Sequence, residues 1–265
     1  MSVRVRFAPS PTGHVHLGNL RVAIFNWLFA RHHHGTFLLR IEDTDRQRST
    51  PQAIATLLDA LAWMGLDYDQ EAVYQSARAA EHVDAAARLR AEGTAFCAGE
   101  NEPTVLLLDA KLYDPSFVTE PRDEASIDVA KGELTADARS LFHAVPTSKG
   151  DIYTTPIRWD ALDLPVFVRA DGAEVDGARL LEAVTDACAG DPSERVDLHQ
   201  AAGGRIEHIR FRRRYVFYED LVLGRREKPL DSMRDQVIVR SDGSPVFHLA
   251  NVADDAAMGL THVLR

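Results

Sequence analysis

Cysteine is scarce in this sequence: only Cys97 and Cys188 occur among 265 residues. Neither has Cys or His partners at zinc-finger spacing, which excludes a disulfide framework and a structural zinc site and reads each as a buried thiol. Long apolar runs are missing as well. No stretch approaches the roughly 18 consecutive apolar residues of a membrane helix, and the opening MSVRVRFAPSPTG has no apolar signal core. No membrane partner and a cytoplasmic location are expected. Basic charge is in deficit, with 30 Lys and Arg against 40 Asp and Glu and a formal net charge of −10. That excludes the uniformly basic surface of a general nucleic-acid binder and leaves room only for a local patch. What is present is ordinary globular material, 45% hydrophobic and 26% charged. Disordered and collagen-like chains are thereby excluded, and the length accommodates one large domain or two smaller ones.

The first hundred residues carry clear periodic signals. Val3, Val5 and Phe7 alternate with Arg4 and Arg6 as a strand does, and the prolines of Ala8-Pro9-Ser10-Pro11-Thr12-Gly13 then impose an extended loop. From Leu20, the apolar Ala23, Ile24, Trp27 and Leu28 follow helical spacing, with Gly35 as the stop. Phe37 to Glu42 reads as a second, buried parallel strand, completing a βαβ unit. Thr50-Pro51 is an N-cap with proline at the first helical position, opening a helix with the stripe Ile54, Leu57, Leu58, Leu61 and Met64 and ending at Gly65. Another helix runs from Ser76 towards Gly93.

Residues 98–204 change character and read as an inserted α+β subdomain, strand-rich from Asp151 to Arg169 and helical from Gly177 to Ala189. Regular signals return in 205–265, where Val237–Arg240 and Val246-Phe247 read as strands around an Asp242-Gly243 turn. Val263-Leu264-Arg265 reads as the start of another strand. Residues 1–97 and 205–265 thus form one sheet domain interrupted by the insertion.

Between the first strand and helix lies Pro9-Ser10-Pro11-Thr12-Gly13-His14-Val15-His16-Leu17-Gly18-Asn19. Strand ends and helix N-termini in open α/β sheets collect ligands, and free backbone N–H groups there suit phosphates. His14 and His16 are placed to donate to a phosphate as charge develops, and Gly18 removes a side chain that would block a flat base. A proline-rich turn with two surface histidines is the competing reading on local grounds. Arg40-Ile41-Glu42-Asp43-Thr44-Asp45-Arg46 closes the second strand, putting Glu42 or Asp43 beside the same cleft, where a carboxylate can pair with a ligand ammonium. Capping of the next helix is the alternative for Asp45 and Asp43. His32-His33-His34 sit on a fraying helix end without fixed ligand geometry and read as solvated. Trp27 and Trp63 read as core-packing residues. Arg210, Arg212, Arg213 and Arg214 interrupt an acidic chain and are either contacts to nucleic-acid phosphates or the outward positions of an exposed strand.

Taken in order, Phe7 to Gly13, His16 to Asn19, Phe25-Asn26-Trp27-Leu28-Phe29-Ala30-Arg31, Leu39 to Arg46 and Ser241-Asp242-Gly243-Ser244-Pro245 closely resemble bacterial glutamyl-tRNA synthetases, in the Glu/Gln subfamily of class I. So do His248-Leu249-Ala250-Asn251-Val252, Asp254-Asp255, Met258-Gly259 and Thr261 to Arg265. The resemblance implies an α/β fold, a Rossmann-like catalytic domain with a parallel sheet flanked by helices, in which His16 to Asn19 form the "HIGH" signature. The insertion occupies the position of the family's acceptor-stem-binding segment. His14, His16, Gly18 and Asn19 are the implied catalytic set. Pro11, Thr12 and Gly13, with His16 and Gly18, are implied for ATP, and Arg6, Ala8, Ser10, Glu42, Phe247, Asn251 and Arg265 for glutamate. Arg6 and Arg265 would pair with the two substrate carboxylates and Glu42 with the ammonium.

The implied reaction activates L-glutamate with ATP, which brings Mg2+, and then transfers glutamate to the terminal ribose of a tRNA. It needs no side-chain nucleophile. Phe247 stands where the family has tyrosine, and a buried partner left unpaired there would cost about 1–3 kcal/mol. The family continues past Arg265 into a "KMSKS" loop and a helical anticodon-binding region, so a fragment or truncated homologue is expected, as a monomer. The insertion lacks the cysteine cluster that some relatives use, so no zinc is expected. A shorter relative that glutamylates the queuosine of an aspartate tRNA is one alternative. A non-catalytic paralogue binding glutamate, nucleotide or tRNA is the other.

Overall fold

The computed structural model describes residues 2–265 apart from 13–14, 46, 98–103, 107–114, 130–131, 147–151, 155–156, 192–193 and 234–235. It separates into two compact units, residues 1–91 with 238–265 and residues 92–237.

The first unit opens with the expected βαβ arrangement. Strand β1 (Arg4–Phe7) is followed by helix α1 (Leu17–His32) and strand β2 (Thr36–Ile41), and the two strands pair in parallel from Arg4↔Thr36 to Phe7↔Leu39. Helix α2 (Pro51–Trp63) leads to the two-residue strand β3 (Val73–Tyr74), parallel to β2. A 3-10 turn at Gln75–Arg78 then runs into helix α3 (Ala79–Ala91). The expected Thr50 cap is present: its hydroxyl accepts from Ala53 N at 3.2 Å, with Pro51 at the first helical position. Val5, Phe7, Phe37, Leu39, Ile41, Leu57 and Leu61 form the core of this unit.

Three local expectations in this unit change. Helix α1 begins at Leu17, before the apolar periodicity does. At its other end His34, at φ 50°, takes the left-handed position. Gly35 is required for a different reason, since a Cβ there would lie 2.4 Å from the Val3 carbonyl oxygen. Trp63 is 87% exposed rather than in the core, because a residue two positions past Leu61 is rotated about 200° around the helix from the buried stripe. Trp27 does pack against the core, half-buried. Of the three histidines, His32 and His34 are exposed and His33, also exposed, lies against the Phe29 ring at 4.5 Å.

The second unit is mostly antiparallel. Strands β4 (Ala95–Cys97) and β5 (Thr104–Leu106) open it, followed by β6 (Asp123–Asp128), β7 (Leu134–Ala136), β8 (Ser140–Pro146), β9 (Ile152–Thr154) and β10 (Ile157–Arg158). Next come β11 (Leu162–Arg169), β12 (Glu174–Asp176), helix α4 (Gly177–Ala187), β13 (Val196–Asp197) and the short helix α5 (Leu198–Ala201). Strand β14 (Ile206–Arg213), the hairpin β15 (Tyr215–Asp220) and β16 (Gly224–Pro229), and β17 (Gln236–Val237) complete it. A five-stranded sheet runs β10-β8-β7-β13 with β9 also on β8, and a four-stranded sheet of longer strands runs β12-β11-β14-β6. Helix α4 falls where the periodicity of Leu180 and Val184 predicts it, and Asp176 caps it by accepting from Ala178 N and Arg179 N. A separate core of Leu134, Leu141, Phe167, Leu180, Val184, Leu198, Ile206 and Ile209 holds this unit together. Cys188 belongs to that core, and burial pushes its thiol up from the ordinary value. The Cys97 side chain lies outside the described residues.

The chain then returns to the first unit. Arg240 and Ser244 flank a tight turn with Gly243 at φ 81°, and a single antiparallel bridge joins Val239 to Pro245. The expected second strand at Val246-Phe247 is absent. Val246 is an extended N-cap, and Phe247 starts helix α6 (Phe247–Ala257), because the following Leu249, Ala250 and Asp254 repeat with a helical period and are buried on one face. Residues 263–265 form no strand either. Instead Thr261 and His262 both donate backbone N–H to the Arg4 carbonyl, at 3.0 and 3.3 Å.

Candidate active site

Two neighbouring parallel strands of the first unit deliver their C-terminal ends to one place. The loop after β1 is tied to the end of β2 by Glu42 N donating to Pro9 O at 2.9 Å. Pro9 and Pro11 are buried, which fixes the loop, and Ser10 points outwards. A small cleft of about 170 Å³ is lined by Ser10, Pro11, Thr12, His16 and Asn19, with Ala53 and Leu57 behind. His16 is the N-cap of α1 in a reciprocal arrangement with Asn19: the His16 backbone N–H donates to Asn19 Oδ1 at 3.4 Å, and the Asn19 N–H donates back to the His16 carbonyl at 3.0 Å. Gly13 and His14 lie outside the described residues. A Cβ at Gly18 would meet the His16 ring, Nδ1 at 3.0 Å, a contact that a turn of the exposed His16 side chain relieves.

Beside this cleft lies a buried cluster of charge. Arg40 is completely buried in an otherwise apolar strand. Its Nη2 donates to Glu42 Oε1 at 3.0 Å and to Asn251 Oδ1, and its Nη1 to Asp255 Oδ1. Glu42 Oε2 in turn accepts from the Ser10 hydroxyl at 3.2 Å. Arg6, 5% exposed, holds Asp255 with two hydrogen bonds, Nε to Oδ1 at 3.1 Å and Nη2 to Oδ2 at 3.0 Å. Asp254, fully buried, accepts from Gln75 Nε2 at 3.0 Å and meets His82 Nε2 at 2.8 Å and Arg78 Nε at 3.2 Å. Three arginines thus balance three carboxylates, the condition under which ionised groups tolerate burial.

The structure therefore brings Arg6, Ser10, Glu42 and Asn251 together, with half-buried Ala8 at the end of β1. Phe247, 43% exposed, lines an adjoining cleft of about 450 Å³ with Gln75, Ser76, His82, Arg240 and Pro245. Arg265 is exposed and does not join the Arg6–Glu42 cluster through any hydrogen bond or ion pair among the described residues. Asp43 and Asp45 have local roles. Asp43 accepts from Ser76 N and Oγ at 2.8 and 2.6 Å, whereas Arg48, at 2.6 Å, holds the Asp45 carboxyl below its usual range.

Sequence reasoning assigned no role to Arg40, Asp254, Asp255, Gln75, Arg78 or His82. One local signal was available: an arginine inside the run Phe37-Leu38-Leu39-Arg40-Ile41 has to find buried partners. One partner, Glu42, is two residues on, but the position of the others, Asn251 and Asp255 on α6, is not encoded in any short pattern.

The four arginines near 210 lie in the second unit and divide into two pairs. Arg213 makes a two-pronged bond to Asp231 at 2.9 Å on each prong, and Arg214 donates to Asp163 at 2.6 Å. Arg210 and Arg212 project from the exposed face of β14, pairing with Glu174 and with the Pro121 carbonyl. That face carries a shallow cleft of about 430 Å³ lined by Glu124, Ser126, Leu164, Val166 and both arginines.

A parallel sheet flanked by helices, with a helix N-terminus and a buried ionic cluster at the strand ends, defines an α/β domain of the Rossmann-like kind. The family model for the catalytic domain of class I tRNA synthetases (E and Q) matches residues 2–105 and 191–265, and the chain belongs to that family. It is 36% identical over 266 residues to glutamate–tRNA ligase 2 of Rhodospirillum rubrum, covering 100% of this chain and 43% of the relative. With glutamate–tRNA ligase 2 of Paramagnetospirillum magneticum the identity is 37% over 265 residues, covering 100% and 42%. The crystal structure of the glutamate–tRNA synthetase from Elizabethkingia anophelis superposes with a TM-score of 0.50 at 26% identity, over 99% of this chain and 44% of that one. The chain thus spans somewhat over two fifths of the length of the relatives it matches. No helix among the described residues is long and apolar enough to cross a membrane.

Proposed function

We propose that this chain carries the amino-acid activation site of a cytoplasmic glutamate–tRNA ligase. The observation that carries the reading is the assembly of Arg6, Ser10, Glu42 and Asn251, drawn from β1, the loop after it, the end of β2 and α6, beside the N-terminus of α1. A cationic guanidinium and an anionic carboxylate in one buried site fit an amino acid with a carboxylate side chain. Arg6 binds a substrate carboxylate through charge-assisted hydrogen bonds, and Glu42, whose oxygens keep spare lone pairs, accepts from the α-ammonium.

In this reading ATP enters with Mg2+, its phosphates facing the first turn of α1 and His16. The substrate α-carboxylate attacks the α-phosphorus, the bond to the β-phosphate breaks, and glutamyl-adenylate and pyrophosphate result. A terminal ribose hydroxyl of tRNA then attacks the activated carbonyl and AMP leaves. Orientation and fixed dipoles lower the barrier, and no covalent enzyme intermediate is needed. Contacts to tRNA phosphates fall to Arg210 and Arg212, which are exposed and would exchange Glu174 and the Pro121 carbonyl for phosphate oxygens, whereas Arg213 and Arg214 are held in less exposed ion pairs with Asp231 and Asp163.

Glutamate-dependent exchange of pyrophosphate into ATP, measured with and without tRNA, tests the activation step. Exchange that requires glutamate is expected, and its absence under both conditions refutes catalysis by this chain. Charging of glutamate tRNA is expected over glutamylation of queuosine-bearing aspartate tRNA, and the reverse preference would assign the shorter relative's reaction.

A further inference from the structure

Two buried arginines share the carboxylate of Asp255, and they differ in what remains of their donors. A guanidinium offers two edges that can each hold a carboxylate, one formed by Nε and one terminal nitrogen and the other by the two terminal nitrogens. Arg40 has both terminal nitrogens occupied, by Glu42, Asn251 and Asp255, and only its Nε, buried and 4.0 Å from Asp254, is without a hydrogen bond. It has no edge left for a ligand. Arg6 gives its Nε and Nη2 to Asp255. Its outer edge, made of Nη1 and the second hydrogen of Nη2, makes no hydrogen bond within the described residues, although the residue is only 5% exposed.

We infer that Asp255 is a positioning residue of the amino-acid site: by taking the Nε edge of Arg6, it fixes the guanidinium plane and presents the outer edge to a substrate carboxylate. The inference rests on the reading that this site binds glutamate. Arg40 holds Asp255 in place from the other side, so the substrate-facing arginine is oriented through a chain running Glu42, Arg40, Asp255, Arg6. Helix α6 supplies the geometry. Asn251 and Asp255 are four residues apart, on one helical face, and both receive Arg40. An arginine pinned in this way loses little further freedom on binding, whereas an unpinned one must be ordered by the substrate.

The test compares wild type with Asp255→Asn and Asp255→Glu in glutamate-dependent pyrophosphate exchange, with direct glutamate binding by calorimetry and thermal unfolding alongside. Asp255→Asn keeps the volume but turns an amide donor towards guanidinium donors. It is expected to raise KM for glutamate about tenfold, the scale of re-ordering one long side chain, with much smaller changes in kcat and in KM for ATP. Asp255→Glu restores the charge with a displaced carboxylate and falls between the two. An unchanged or lower KM for glutamate in Asp255→Asn overturns the inference, and so does an equal loss for glutamate and ATP, which marks a merely structural role. If Asp255→Asn does not fold, Asp255→Glu alone decides, and a wild-type KM in it is the overturning result. A wild type that neither exchanges nor binds glutamate refutes the functional reading itself, and the inference with it.

Discussion

Arg40 shows how one side chain can carry a disproportionate share of a structure. It lies in a strand flanked by Leu39 and Ile41, both buried, and its charge is tolerated because Glu42, Asn251 and Asp255 surround it. Breaking a buried ionic cluster by removing one partner leaves uncompensated charge and costs about 3–5 kcal/mol. Arg40→Ala is therefore expected to lose that much stability in urea unfolding, with Glu42 and Asp255 left facing each other across a vacated space. A loss below about 1 kcal/mol, the size typical of an exposed pair, would show that the cluster is solvated in solution. The same residue marks the boundary of what is legible in the primary structure. A buried cation announces that partners exist, but nothing local says that they lie 211 and 215 positions away.

Elements whose signal is local were legible, and those decided by competition between local tendencies were not. Strand β1, helix α1, strand β2 and helix α2 follow alternation, 3.6-residue periodicity and a threonine–proline cap, so their order and type could be read directly. Val246-Phe247 has strand-forming residues, yet the chain divides between them, because a helix starting at Phe247 buries Leu249, Ala250 and Asn251. Of the candidate site, Glu42 or Asp43 was legible from its place at the end of the second strand, Arg6, Ser10 and Asn251 only through resemblance, whereas Asp255 needed the packing of α6. The junction between α1 and β2 offers a test of electrostatics at this scale. Asp69 accepts from Arg31 Nη1 at 2.8 Å and from Phe37 N at 2.7 Å, and the Arg31 bond holds its carboxyl below the usual value. A carboxyl whose folded pKa is depressed adds stability above its unfolded pKa and loses it as pH falls through the folded value. The stability advantage of wild type over Asp69→Asn should accordingly be constant from pH 7 to about 5 and shrink below about 4, as read from thermal midpoints at pH 7, 5 and 3. An advantage that persists undiminished in acid would contradict the ion pair as its source.

At the scale of the whole molecule, two hydrophobic cores share no residue, one in each compact unit. Each core accounts for the stability of its own unit. Phe167, fully buried among Leu180, Ile209 and Trp159, belongs to the second. Replacing it by alanine removes a large buried side chain and should cost about 3–5 kcal/mol. Hydrogen exchange read peptide by peptide should rise mainly in 92–237, and an equal rise across 1–91 would contradict the division into two cores. The family model skips 106–190, which lies wholly within this second unit, and the second core joins residues of that segment, such as Leu134, Phe167 and Leu180, to Leu198, Ile206 and Ile209 of the matched part.

The discontinuous path of the first unit bears on the order of events at the ribosome. Residues 92–237 are continuous in the chain and hold a complete core, so this segment has its partners to hand as soon as it is synthesised. The sheet begun by β1 and β2 does not. Until Asn251 and Asp255 have emerged, Arg6 lacks its carboxylate and Arg40 has Glu42 alone of its three acceptors, so a collapsed N-terminal segment would have to leave cationic donors hydrated or sealed in hydrocarbon. The later-born unit is thus positioned to fold first, and the earlier-born one to wait for α6 with its strands open to water. Nascent chains stalled before residue 251 should be the most vulnerable to proteases and the most dependent on chaperones.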